Sequence, residues 1–148
     1  MKKELEIIYN SLGDNILEMK GRSVLVTGAL GMLSSYVIEF INYLNKSHDY
    51  HIKLILLARN EEKLKQRFPY SDYRAEYVIC DISDEILYDK NIDYIFHFAG
   101  NSSPFHIKNS PLDIIKSNVI GTLNITNLAA DLEQKEFYFH LLERFMEK

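Results

Sequence analysis

The chain holds a single cysteine, Cys80. One thiol excludes an internal disulfide framework and fits a reducing compartment. No uninterrupted apolar run is long enough to cross a bilayer, so a helical membrane span is not expected. The N-terminus, MKKELEIIYNSLGDN, lacks the apolar centre of a signal peptide, and the expected location is cytoplasmic. Positive charge is not in excess: the net charge of -4 provides no electrostatic footprint for nucleic acid. Internal repeats and low-complexity segments are also missing. What is present, 148 residues with 47% hydrophobic and 26% charged, is an ordinary soluble mix for one domain around one core.

Hydrophobic spacing divides the chain into alternating strands and helices. Leu5, Ile8, Leu12, Ile16 and Met19 recur at helical spacing and predict an amphipathic lead-in over residues 3–19, interrupted by Gly13. Ser23–Val26 is a short β-branched run that reads as a buried parallel strand. Helical spacing follows from Met32 to Leu44, then a polar turn over Asn45–Tyr50. A second strand is predicted over His51–Ala58 and a short helix over Glu61–Phe68. Tyr77–Cys80 and Ile92–Phe98 read as the third and fourth strands. Pro111–Ala130 reads as a long helix, with Pro111 suited to its first turn. This alternation predicts an α/β fold with a parallel sheet of about four to five strands flanked by helices.

Between the first strand and its helix lies Thr27-Gly28-Ala29-Leu30-Gly31-Met32-Leu33-Ser34. Gly28 permits a tight turn. Gly31 lets the backbone approach a pyrophosphate that a Cβ would block. The amides at the helix start, near Met32 and Leu33, then face the anion. The third glycine position holds Ser34, small enough for close helix–strand packing. The alternative is a plain strand-to-helix turn that happens to contain glycines.

Ligands of open α/β sheets sit outside the carboxyl ends of the strands, so the other strand ends bear on the choice. The second ends at Ala58-Arg59. An acidic residue there would bind the ribose of NAD. Arg59 instead suits the 2′-phosphate of NADP, unless it is only a solvated surface arginine. Asp81 can accept a hydrogen bond from an adenine amino group, with Ile82 packing on the ring, or it can cap the turn that follows. Ala99 and Gly100 are small enough to let a cofactor cross the fourth strand's end. His97 is expected to face the core or the neighbouring helix, and Cys80 to be an inert buried thiol.

Together these residues resemble the extended short-chain dehydrogenase/reductase family, NAD(P)-dependent nucleotide-sugar epimerases, dehydratases and decarboxylases built on a Rossmann-type sheet. The matching stretches are Thr27–Leu33, Cys80-Asp81-Ile82, Asp93–Gly100, and Asn118-Val119-Ile120-Gly121-Thr122-Leu123-Asn124, which looks like the family's N-V-x-G-T helix motif. The likeness covers roughly residues 20–136. It implies Thr27, Gly28, Gly31, Met32 and Leu33 at the pyrophosphate, Asp81 and Ile82 at adenine, and Ala99 and Gly100 near the nicotinamide-side ribose. It implies that Asn118 helps order the active site; otherwise Asn118 is a buried polar residue that stabilises its helix. The cofactor implied is NAD(P), leaning to NADP. A nucleotide sugar is expected as partner only in a full-length relative.

The resemblance also implies residues that are not found. The family's chemistry uses a Ser or Thr after a fifth strand and a Tyr-x-x-x-Lys pair, whose lysine lowers the pKa of the tyrosine acid/base. None of the 10 tyrosines is followed four places later by lysine. No Ser/His/Asp set or metal-ligand cluster replaces the pair. The division expected is a lead-in over 1–20, a dinucleotide-binding domain over 21–136 and an atypical tail over 137–148. Back-translated in another frame, that tail permits a string such as L-F-S-S-S-G-E-V-Y-G, which looks like the family's next segment. A frameshift near codon 136 in a longer gene is therefore one expectation; an engineered chain end or a short protein with an unrelated tail is the other. With four strands, the edge beyond the fourth would be uncovered, unless the tail adds as a fifth strand or forms a helix. Marginal stability, and a homodimer through that edge or the Asn118 helix, are the expectations.

Overall fold

A computed structural model of the chain describes residues 2–100, 109–131 and 136–139. An α-helix, α1 (Lys2–Leu12), leads through a 3₁₀ turn (Gly13–Met19) into β1 (Ser23–Thr27). Then come α2 (Met32–His48), β2 (Lys53–Ala58), α3 (Glu61–Arg67), α4 (Tyr70–Tyr73), β3 (Glu76–Ile79) and β4 (Tyr94–His97). The last elements are α5 (Pro111–Ile115), a π-helical segment (Lys116–Ile120), α6 (Gly121–Asp131) and β5 (Glu136–Phe139).

All strand pairs are parallel, in the order β3-β2-β1-β4-β5. β1 is central and every one of its residues is buried, because both faces of a parallel sheet are covered. Alternation then assigns its side chains. Val24 and Val26 join Leu54, Leu56, Ile38, Ile41 and Leu44 on the α2 side. Leu25 joins Ile55, Leu57, Ile95, Ile125 and Leu128 on the α6 side. Truncating a fully enclosed member such as Ile95 to alanine costs about 2–5 kcal/mol.

The sheet is locked at its amino end, away from the loop that follows β1. The amide and hydroxyl of Ser23 donate to Asp93 Oδ2 at 2.8 and 2.7 Å, and Arg22 pairs with Asp93 Oδ1 at 3.1 Å. Burial raises the Asp93 pKa, but these hydrogen bonds and the guanidinium outweigh it and hold the carboxyl below its usual value.

Several expectations are corrected. The lead-in helix stops at Leu12, because Gly13 takes a left-handed φ of 56° and the chain tightens into the 3₁₀ turn. The expected turn over Asn45–Tyr50 is helical as far as His48, where Asp49 closes α2 in a left-handed conformation. β2 starts two residues later than read, since His51 has a φ of 54° and cannot join a strand. β4 is shorter than Ile92–Phe98: Asp93 is occupied by Ser23 at one end and the backbone turns toward Thr27 at the other. Residues 70–73 add a helix that periodicity did not show. The long helix over Pro111–Ala130 is broken by its π segment. For the edge beyond β4, the fifth-strand alternative is the one found: Glu136–Phe139 pairs with Tyr94–His97. The rest of the tail, with the proposed shifted frame, lies outside the described residues.

Candidate dinucleotide site

The carboxyl ends of β1, β2 and β4 meet around the first loop. Gly28 has a φ of 62°, and a Cβ there would come within 2.8 Å of the Ala99 backbone. Its bare Cα therefore does two things: it turns the chain, and it lets the ends of β1 and β4 touch. The loop is tied to β2 by the Ala29 amide, which donates to Leu57 O at 3.3 Å. Inside it, Ser34 Oγ donates to Gly28 O at 2.7 Å and Ser35 Oγ to Gly31 O at 2.5 Å.

Gly31 is the N-cap of α2 and offers no side-chain cap. The amides of Met32 and Leu33 meet no acceptor among the described residues. A seventeen-residue helix thus opens with uncapped donors and the positive end of its dipole toward solvent. Met32 is 75% exposed and forms the outer lip. A Cβ on Gly31 would fall 3.1 Å from Ser34 Oγ and 3.2 Å from Gly28 O, so this cradle fits a residue with no side chain. Uncapped amides over a glycine floor are what a pyrophosphate needs.

At the ends of β2 and β3, Arg59 and Asp81 are ion-paired at 3.5 Å. Arg59 is largely exposed, so the pair contributes little stability and is easily parted. Asp81 Oδ1 accepts from the Ser83 amide at 3.0 Å and the Ser83 hydroxyl at 2.7 Å. Those two bonds, with help from Arg59, lower its pKa. Asp81 therefore caps the turn after β3, and its Oδ2 faces Arg59. Ile82 is buried and packs beneath α6, in space left by Gly121: a Cβ on Gly121 would lie 2.8 Å from Ile82 Cγ2. Cys80 is half-buried rather than enclosed, because β3 is an edge strand, and burial and nearby carboxylates raise its pKa.

The helix motif lies on the far side of the crevice. Asn118 sits in the π segment and is exposed rather than buried. Its Oδ1 would stand 2.9 Å from a Cβ on Gly100, which places it against the end of β4. π segments of this kind concentrate at functional sites. His97 is buried, facing Thr27 at 2.7 Å and Thr122 at 3.4 Å, and desolvation pushes its pKa down to about 4.

The structure thus gathers Thr27, Gly28 and Ala99 at one point, Gly31, Met32 and Leu33 at the helix start, Arg59 with Asp81, and Gly100 with Asn118. Ile82 is turned into the core. Two participants were missed in the sequence. Thr122 contacts both His97 and the Asn118 carbonyl. Asn124 Nδ2 donates to Ile82 O and Asp84 O at 3.0 and 2.8 Å, pinning the loop after β3 to α6. Their positions within the N-V-x-G-T stretch were the available signal. Among the described residues no cluster suits a metal ion, and no helix is long and apolar enough to cross a membrane.

Known proteins resemble this chain over most of its length. UDP-glucuronic acid decarboxylase 2 of Arabidopsis thaliana is 31% identical over 113 residues, 76% of this chain but 24% of that protein. dTDP-glucose 4,6-dehydratase of Haemophilus influenzae is 26% identical over 126 residues, 82% of this chain and 35% of that protein. The chain therefore spans well under half the length of these relatives. Among solved structures, UDP-N-acetylglucosamine 4-epimerase from Methanobrevibacter ruminantium superposes with a TM-score of 0.63 at 21% identity, covering 82% of this chain and 38% of that one. UDP-glucose 4-epimerase from Bifidobacterium longum, in complex with NAD+ and UDP, gives 0.60 at 21%, covering 78% and 35%. These likenesses establish the fold. The model of the NAD dependent epimerase/dehydratase family matches residues 24–141, from β1 through β5, and the chain belongs to that family.

Proposed function

We propose that this chain is the NAD(P)-binding part of a nucleotide-sugar epimerase/dehydratase-like oxidoreductase. The observation that carries the reading is the uncapped start of α2 over Gly28 and Gly31. There the pyrophosphate would accept from the Met32 and Leu33 amides, with Thr27 holding the loop from below. Asp81 would receive the adenine amino group on the side it now turns to Arg59, beside Ile82. The nicotinamide-side ribose would cross Ala99 and Gly100, with Asn118 opposite. When bound, the nicotinamide supplies hydride chemistry; the residues described here bind and orient it.

NADP is the preferred form in this reading. Ala58 gives the ribose no carboxylate, whereas Arg59 stands exposed at the end of β2, held only by a weak ion pair. A 2′-phosphate would draw the guanidinium from Asp81 and leave that carboxylate for adenine.

Turnover by the chain alone is not expected, because the 10 tyrosines include none with a lysine four places on. That same observation supports a second reading, a non-catalytic NAD(P)-binding or interaction module. Self-association is a further part of the proposal, since Leu112, Ile115, Val119 and Leu123 are more than half exposed along the α5–α6 run. Titration with NADPH and NADH, followed by an assay with UDP-sugars, tests the proposal. Tight binding without turnover is expected. Absence of binding rejects both readings, and turnover rejects the argument from the missing pair.

A further inference from the structure

Thr27 is fully buried, and its hydroxyl oxygen meets three polar groups. The amides of Phe98 and Ala99 both donate to Thr27 Oγ1 at 3.1 Å. The third neighbour is His97 Nδ1, at 2.7 Å. A hydroxyl oxygen has two lone pairs and one proton, and amides can only donate. The two amides occupy the lone pairs, so the Thr27 proton goes to Nδ1. A neutral imidazole that accepts at Nδ1 carries its hydrogen on Nε2. Nε2 faces Thr122 Oγ1 at 3.4 Å, and that hydroxyl donates in turn to Asn118 O at 2.6 Å.

The direction of every proton in this chain is thus set at Thr27. It ends on the carbonyl of Asn118, inside the π segment, where the wide turn departs from the regular i→i−4 pattern. A threonine hydroxyl bonding back four residues is a recognised way to bend a helix.

We infer that His97 is a positioning residue: held as the Nε2–H tautomer by Thr27, it acts through Thr122 to hold the π turn that sets Asn118 against Gly100. The β1 loop and the Asn118 helix, on opposite sides of the crevice, are joined by this file, which is buried at Thr27 and His97 and reaches the surface at Asn118. Whether a dinucleotide uses the crevice rests on the proposed function; the file itself does not.

The test uses the full chain labelled with ¹⁵N at histidine. Long-range ¹H–¹⁵N correlation at neutral pH should show the His97 hydrogen on Nε2; a hydrogen on Nδ1 overturns the inference. Thr122→Val and Thr122→Ser are then titrated with NADPH and with adenosine 2′,5′-bisphosphate, which lacks the nicotinamide half. Loss of one hydrogen bond predicts NADPH binding weakened roughly five- to tenfold in Thr122→Val. The bisphosphate should be unaffected and Thr122→Ser should restore NADPH binding. Equal losses for both ligands, or no loss for NADPH, overturn the inference. If the unmodified chain binds neither ligand, the dinucleotide reading fails by itself. The inference is then read from the Asn118 amide signals, which should move in Thr122→Val and return in Thr122→Ser. Unmoved signals overturn it.

Discussion

Gly100 and Asn118 approach so closely that a Cβ on Gly100 would stand 2.9 Å from Asn118 Oδ1. The obstacle is the end of an exposed side chain, which can swing aside. Gly100→Ala is therefore expected to leave the melting temperature nearly unchanged while displacing Asn118. If Asn118 orders the nicotinamide side, NADPH affinity falls by about 1 kcal/mol. Calorimetry and a fluorescence titration on the same sample separate the two effects.

Gly28→Ala should behave in the opposite way. The new Cβ meets the backbone of Ala99 at 2.8 Å, and the left-handed φ of 62° is strained for alanine. Backbone cannot swing aside, so a loss of about 2–4 kcal/mol of stability is expected together with loss of nucleotide binding. Urea denaturation measures it, and a wild-type midpoint would contradict the close approach.

Gly121→Ala places a Cβ 2.8 Å from Ile82 Cγ2, and Ile82 is buried and β-branched, with little room to turn. A cost of about 1–3 kcal/mol follows. Ile82→Ala is destabilising alone, yet combined with Gly121→Ala it should cost less than the sum. A double-mutant cycle with no coupling would argue against the packing described.

These three glycines also show what the sequence could and could not tell. The turn at Gly28 was legible because a strand running directly into a helix needs a residue that tolerates a left-handed φ. The parallel sheet was legible for a similar reason: Val24, Leu25 and Val26 are apolar at consecutive positions, as burial on both faces requires. Gly121 was visible only as a letter in a motif, since its reason is Ile82, far away in the sequence. Thr122 was hidden likewise, because its partner His97 arrives from β4, distant in the sequence. Local spacing cannot show the π segment either: a one-residue widening leaves the apolar periodicity nearly intact. The short helix at Tyr70–Tyr73 has too few residues for any period, and is held by the Tyr73 hydroxyl donating to Glu39 at 2.6 Å.

Arg59 offers a test of cofactor choice that stability does not confound. Its ion pair with Asp81 is exposed, so Arg59→Ala is expected to shift the melting temperature very little. NADPH affinity should fall by about 1–3 kcal/mol, with NADH nearly unaffected. Equal effects on both cofactors would show that Arg59 does not read the 2′-phosphate.

Acid should destabilise the fold in a defined window. Desolvation pushes the His97 pKa from 6.5 to about 4. The unfolded chain takes up a proton near the higher value, while the folded chain resists until the lower one. The contribution of neutral His97 is therefore complete above about pH 6.5 and lost as pH falls toward 4, about 3 kcal/mol in all. Asp93, held below its usual value despite its burial, adds a loss at still lower pH as its carboxylate is protonated. Urea midpoints measured between about pH 7 and 4 check the slope, and a flat profile would mean that His97 is not buried as described.

The two cores of the sheet are completed at different times as the chain is made. Val24 pairs with Leu54 in β2, but its other neighbour, Tyr94, is synthesised much later. The fully buried members of the layer beneath α2 all lie at or before Ala75 and can begin to consolidate on the ribosome, with Tyr94, Phe96 and Phe98 added against them later. The opposite face, with Leu25, Ile55 and Leu57, must wait for Ile95 and Ile125. During that interval the nascent protein carries a bare aliphatic sheet face. It is in this window, before α6 arrives with Ile125, that the chain most needs a chaperone to escape aggregation.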